Sequence, residues 1–210
     1  MASFEVLSNG VISGDMAQVT ADTKAAVDAG LDPLEIINKG LIAGMNVVGQ
    51  RFKVGDMYVP EVLMAAKAMA AGVEIVKPLL ADGDVPSQGT IVIGTVKGDL
   101  HDIGKNLVAM MSESSGYKVV NLGVDISPES FADAVRQHKP QVVGMSALLT
   151  TTMLAMRDTI EVLKEEGLRD QVKVIIGGAP VTQDFADEIG ADGFAPDAAS
   201  ATELIERLIN

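Results

Sequence analysis

The sequence predicts an α/β fold in two parts: an N-terminal four-helix bundle, then a five-stranded parallel sheet with helices on both faces. Three observations carry this. Apolar residues recur every three or four positions through the first 80 residues, the spacing of helices with one buried stripe. From Thr90 onward, short β-branched runs alternate with helical stretches, as parallel strands joined by right-handed crossovers do. Between them lies Ala81-Asp82-Gly83-Asp84-Val85-Pro86-Ser87-Gln88-Gly89, polar and rich in Gly and Pro, which reads as a linker. The expected domains are 1–86 and 87–210.

In order, Phe4 to Ile12 is a short first helix and Met16 to Ala29 an Ala-rich second, ended by Gly30. The third starts clearly, with Asp32 as N-cap, Pro33 at the first helical position and Glu35 three residues after the cap. Its buried stripe is Leu34, Ile37, Leu41, Met45, Val48 and Phe52, and Gly55-Asp56 breaks it. Pro60-Glu61 opens a fourth, where Val62, Ala66, Met69, Val73, Val76 and Leu80 alternate steps of four and three, suited to shallow-angle bundle packing. Strands are expected at 90–96, 118–122, 141–146, 172–176 and 192–195. Helices are expected at 104–115, 128–138, 153–166, 182–189 and 198–209, with Ser127-Pro128 opening the second of these. Strand order 2-1-3-4-5 would be flavodoxin-like (Rossmann-like), with its topological switch point between the first and third strands. Asp99 and His101 leave the first strand and Ser146 to Thr152 leave the third, so these loops flank the one crevice this topology provides.

Composition narrows the function. The chain has 210 residues, 48% of them hydrophobic, and only 3% aromatic with no Trp. Its core must be aliphatic, with 11 Met as adaptable filler. A net charge of -13 argues against nucleic acid, whose binding relies on Lys and Arg, and against an anionic membrane surface. No Cys means no disulfide, thiolate metal site or catalytic thiol. The start, Met1-Ala2-Ser3-Phe4-Glu5, lacks the basic and apolar regions of a signal peptide. No stretch reaches the roughly 18 apolar residues of a membrane span, so the expected location is the cytoplasm.

The loop Val96-Lys97-Gly98-Asp99-Leu100-His101-Asp102-Ile103-Gly104-Lys105-Asn106 concentrates the chemistry. As a phosphate loop it is one residue too long, Asn106 stands where Ser or Thr is required, and its carboxylates would repel phosphate. A divalent-metal site of Asp99, His101 and Asp102 would need further ligands, and His138 is the only other His. A third reading makes His101 a single axial ligand to a metal already held in a macrocycle, with Asp99 on its other ring nitrogen. In a fourth, Asp99 simply caps the following helix. The residues alone leave these last readings open.

Asp99-x-His101-x-x-Gly104 after a first strand resembles the signature of cobalamin-binding domains that hold the corrinoid through a protein histidine. Gly144 to Thr152 and the pair Gly177-Gly178 match later stretches of the same domains. The N-terminal part is similar to the helical domain preceding this module in methionine synthase and in the small corrinoid proteins of methyltransferase systems. The resemblance therefore covers nearly the whole chain. It implies cobalamin or a related corrinoid as cofactor, cycling between Co(I) and methyl-Co(III). It implies His101 as the cobalt ligand on the lower face, in place of the cofactor's own base, backed by Asp99 and then Thr152 in a relay. Gly98, Asp102 and Gly104 belong to the same cofactor-binding loop. The displaced tail would enter a slot beside the sheet, contacted by Ser146 and Thr150, passing close to the backbone at Gly177-Gly178, with Ala198 a looser match. On the upper face Phe52 and Val59 match two apolar residues that cap the methyl ligand. Val59 is smaller than the Leu expected there, which implies a looser cap.

Structural readings stand beside these. One of Ser146, Thr150, Thr151 and Thr152 is expected to N-cap the following helix in either case. Gly177-Gly178 would serve an ordinary strand-end turn, and Phe52 and Val59 would fit a bundle core. The resemblance implies a methyl-carrying corrinoid protein, with no complete catalytic site for donor or acceptor of its own. Its partners would be a substrate:corrinoid methyltransferase, a corrinoid:thiol or corrinoid:tetrahydropterin methyltransferase, and a reductive activating protein. Two alternatives are a cobalamin-binding sensor and the small subunit of an adenosylcobalamin mutase. The first lacks a DNA-binding motif before the helices; the second would not require them.

Overall fold

The computed structural model describes residues 3–80 and 87–209. They form two compact units. The helical residues up to Ser87, with Ser114–Gly116, make one; Gln88–Glu113 and the residues from Tyr117 on make the other. Most of the expected linker, 81–86, lies outside the described residues. Its last residue, Gly89, already accepts a hydrogen bond from Lys118 N–H at the edge of the sheet.

The first unit runs α1 (Phe4–Ser13), α2 (Met16–Asp28), α3 (Pro33–Glu35), a π-helical segment (Ile36–Ile42), α4 (Ala43–Lys53) and α5 (Val59–Val76). Each start has a local cause. The side chains of Ser3, Asp15 and Asp32 accept from the amides of Val6, Gln18 and Glu35. Glu61 reaches back to the Tyr58 N–H at the start of α5. The single third helix expected from the periodicity is interrupted by the π segment. The reason lies in its side chains: Ile36 and Leu41, and Ile37 and Ile42, stand five apart and all four are buried. An i→i+5 turn stacks such pairs on one face, which an α-turn does not. α1 lies against this segment and α4, and α2 runs along α5. Gly44 sets the α1–α4 distance, since a Cβ there would come 2.8 Å from the Ser8 carbonyl oxygen.

The second unit alternates β1 (Thr90–Thr95), α6 (Ile103–Ser114), β2 (Lys118–Asn121), α7 (Pro128–His138), β3 (Val142–Ser146), α8 (Leu154–Glu165), β4 (Lys173–Gly177), α9 (Gln183–Ile189), β5 (Gly193–Ala195) and α10 (Ala198–Ile209). All neighbouring strands pair in parallel, in the order β2-β1-β3-β4-β5. The register aligns Thr95 with Ser146, Ser146 with Gly177, and Gly177 with Ala195. Four strands thus end level, and their outgoing loops share one edge. Both faces are covered, so the strands read as apolar runs. Val92, Val143 and Ile176 face α7 and α8 with Phe131, Met156 and Ile160; Ile91, Val142 and Ile175 face α10 with Leu204 and Ile205. Among the described residues no helix is long and apolar enough to cross a membrane.

Phe131 is fully buried, and a Cβ on Gly94 would come 2.8 Å from its ring, so strand and ring are fitted to each other. Phe131→Ala is expected to lower the unfolding free energy of this unit by about 3–5 kcal/mol. Denaturant titration should show the midpoint falling with the slope unchanged.

Candidate functional site

Asp99 is 0% exposed, in the loop leaving β1. Its Oδ1 accepts from the His101 N–H at 3.0 Å and faces the His101 ring Nδ1 at 2.7 Å. Its Oδ2 accepts from Leu148 N–H at 2.7 Å, Leu149 N–H at 3.3 Å and the Thr152 hydroxyl at 2.7 Å. Burial pushes the Asp99 carboxyl up. The bonds from Thr152, the His101 and Leu148 amides and the His101 ring outweigh it and hold the group well below the usual carboxylate range. An ionised carboxylate only accepts, so the His101 Nδ1 must donate. The neutral ring therefore carries its lone pair on Nε2. Thr95 Oγ donates to the His101 carbonyl at 3.0 Å, tying the loop to the end of β1.

The Thr152 hydroxyl has one hydrogen and two acceptors in reach, Asp99 Oδ2 and the Leu149 carbonyl at 2.9 Å. The charged oxygen is the stronger acceptor. This corrects the expectation that Ser146, Thr150, Thr151 or Thr152 caps the next helix. α8 begins at Leu154 after Met153, without a side-chain cap. The preceding turn uses backbone bonds from Thr152 and Met153 to Leu149 instead. Asp99 does not cap α6 either; its bond to the amide two residues on closes an Asx turn.

A cavity of about 500 Å³ opens beside His101 at the aligned strand ends. Of the residues singled out from sequence, His101, Asp102, Gly104, Ser146, Gly177, Gly178 and Ala198 line it. Ile93, Val108 and Ile175 supply apolar wall. Gly178 is indispensable to its shape: a Cβ there would sit 1.8 Å from the Ala147 carbonyl oxygen. Gly98 and the exposed Thr150 lie outside the lining, and Asp99 and Thr152 are buried. Phe52 and Val59 belong to the other unit, each half-buried, at the end of α4 and the start of α5. Among the described residues no group of three or more His, Cys, Asp or Glu could hold a metal ion by itself.

Sequence reasoning missed the Leu148 and Leu149 amides, because a backbone donor leaves no trace in residue type. It also missed Asp125, whose carboxylate accepts from Gly98 N–H at 2.7 Å. Lys105 went unremarked too, although it is 3% exposed and bonded to Asn106 and Asn121.

A metal already bound in a macrocycle needs one unprotonated donor, apolar surface for its ring and room for a displaced tail. The His101 side chain is 53% exposed with Nε2 carrying its lone pair. Leu100 and Ile103 beside it are 71% and 80% exposed. The glycine-walled cavity adjoins. The residues present fit a corrinoid.

Comparison with known proteins agrees. Residues 4–77 and 89–205 each match a family described as a B12 binding domain. The fold and the site thus define a B12-binding protein, and the chain belongs to the corrinoid proteins, whose cofactor is cobalamin or a related corrinoid. It is 43% identical to a corrinoid protein of Desulfitobacterium hafniense, covering 100% of this chain and 98% of that one. It is 51% identical to dimethylamine corrinoid protein 1 of Methanosarcina acetivorans, over 85% of this chain and 84% of the relative. Among solved structures, the methanol:cobalamin methyltransferase complex of Methanosarcina barkeri contains a chain that superposes with a TM-score of 0.87 at 34% identity, covering 98% of this chain and 79% of that one. A cobalamin-binding protein from Desulfitobacterium hafniense superposes with a TM-score of 0.83, also at 34% identity and over the full length of both.

The depressed Asp99 pKa has a pH consequence with a definite sign. The fold favours the ionised form, so its contribution is fully present above the unfolded carboxyl value, about 3.9. It is lost as pH falls below that toward the folded value. Asp99→Asn should therefore flatten the acid-induced loss of stability below about pH 4 while lowering stability at neutral pH. Circular-dichroism denaturation across that range checks both.

Proposed function

We propose that this protein carries a methyl group between a substrate-specific methyltransferase and a second methyltransferase acting on a thiol or a tetrahydropterin. The bound corrinoid supplies the chemistry: its cobalt accepts the methyl group and gives it up. The observation that carries the reading is the buried Asp99 carboxylate 2.7 Å from His101 Nδ1, from which the proton of the neutral ring is assigned to that nitrogen. His101 Nε2 is then the donor offered to cobalt in place of the cofactor's own base. Asp99 keeps the ring oriented through its contact with Nδ1. Thr152 and the amides of Leu148 and Leu149 keep the carboxylate itself in place.

Ser146, Gly177, Gly178 and Ala198, which line the cavity, would hold the displaced tail, with Thr150 in the loop after β3 as a further contact. Gly98, Asp102 and Gly104 shape the loop around His101. Phe52 and Val59 would be the residues that shield the bound methyl group, with residues 1–86 and 87–210 acting as separate domains. The relatives named for dimethylamine and the complex named for methanol support a small methylated amine or alcohol as donor. A reductive activating protein would restore the cofactor after adventitious oxidation.

Reconstitution with hydroxocobalamin tests the site. His101→Ala is expected to lose the lower-axial nitrogen ligation that wild type shows; an unchanged absorption spectrum would remove His101 as ligand. The reduced, loaded protein is expected to become methylated from dimethylamine, trimethylamine or methanol only when the cognate methyltransferase is added. Carbon-skeleton rearrangement with adenosylcobalamin and a partner subunit would contradict the carrier role.

A further inference from the structure

We propose that the segment from the last residue of β2 to the start of α7, residues 121–127, is a brace that aims His101, with Asp125 as its positioning residue. This rests on His101 being the cobalt ligand. At the start of the histidine loop, Gly98 N–H donates to Asp125 Oδ1 at 2.7 Å and Asp125 N–H donates to the Asp99 carbonyl at 3.0 Å. The two bonds straddle the backbone of Gly98 and Asp99, so they fix the torsions that place the Asp99 side chain. Asp99 in turn orients the His101 ring.

The backbone of Asp125 marks the position as special. Its φ is 56°, in the left-handed region that non-glycine residues seldom occupy. Lys139 also has positive φ, but it ends α7, an ordinary place for that conformation. Asp125 ends no helix. Asp is among the non-glycine residues that tolerate this conformation, and here both hydrogen bonds of the residue go to the histidine loop.

The same brace grips the loop's far end. Asn121 Oδ1 accepts from Lys105 Nζ at 2.6 Å and from Gly123 N–H at 3.1 Å. Lys105 also donates to Asn106 Oδ1 at 2.8 Å, and Asn106 Nδ2 donates to Asp102 Oδ2 at 2.8 Å. Asn121 thereby fixes the first turn of α6, while Asp125 fixes the exit from β1. Leu100 and Ile103, largely exposed, lie on the span between the two grips. The remaining ties of that span are the Asp99 turn, Thr95, and the donors of the loop after β3 that hold the Asp99 carboxylate.

The test uses the full chain loaded with cobalamin and reduced to Co(II), grown with or without nitrogen-15-labelled histidine. Electron paramagnetic resonance reads whether the axial nitrogen belongs to histidine, because only then does labelling alter the nitrogen splitting. Wild type should respond to the label and His101→Ala should not; a response in His101→Ala would overturn the ligand assignment itself. Asp125→Gly keeps the positive φ and deletes the acceptor. Asp125→Asn keeps both. Loss of a partner behind a metal ligand typically costs 10–100-fold, and Asp125 stands one bond further out, so the ratio of histidine-ligated to unligated cobalt should fall about tenfold in Asp125→Gly. Asp125→Asn should restore it. Melting curves run alongside, and Asp125→Ser, too short to reach Gly98, serves if the glycine variant does not fold. A wild-type ratio in Asp125→Gly, or equal losses in the glycine and asparagine variants, would overturn the brace.

Discussion

A carboxylate taken out of water must be surrounded by donors, and Asp99 draws its donors from both loops at the switch point of the sheet. One oxygen is satisfied by its own loop, the other by the loop leaving β3. The two loops are therefore held at a fixed separation by a single side chain. The crevice between them, the ring orientation of His101 and the position of Thr152 all follow from that. Leaving any of these donors out would strand part of a buried charge, so the arrangement can change only as a whole.

Much of this was legible beforehand because it rests on periodicity and residue type. The five strands and their helices follow from runs such as Thr90 to Thr95 and from caps such as Ser127 and Asp32, while the order 2-1-3-4-5 rests on the flavodoxin-like arrangement common to such alternation. The pairing of Asp99 with His101 follows from a motif. The π segment escaped because a search for steps of three and four overlooks the five-residue pairs Ile36–Leu41 and Ile37–Ile42. The residue types alone suit the Thr run to helix capping, whereas the resemblance sets Thr152 behind Asp99, where its hydroxyl donates to Oδ2. The grip of Asp125 on Gly98 joins residues 27 apart through a backbone amide, which no residue pattern announces.

The division of labour between the parts is chemical. The strand ends supply a level edge on which loops can meet. Glycines supply closeness where a side chain would collide, most severely at Gly178. Exposed Leu100 and Ile103 offer apolar surface next to a polar ring, a combination suited to a large, mostly apolar macrocycle with one metal at its centre.

The central claim is that Asp99 fixes the proton of His101 on Nδ1 and leaves Nε2 bare. Nitrogen-15 NMR of the cofactor-free protein, with labelled histidine and at a pH where the ring is neutral, measures this directly; His101→Ala identifies the signals. The account predicts a protonated Nδ1 and a bare Nε2, shifting toward a mixture of tautomers when Thr152 is replaced by Val. A wild-type ring protonated on Nε2, with Nδ1 bare against Asp99, would contradict it.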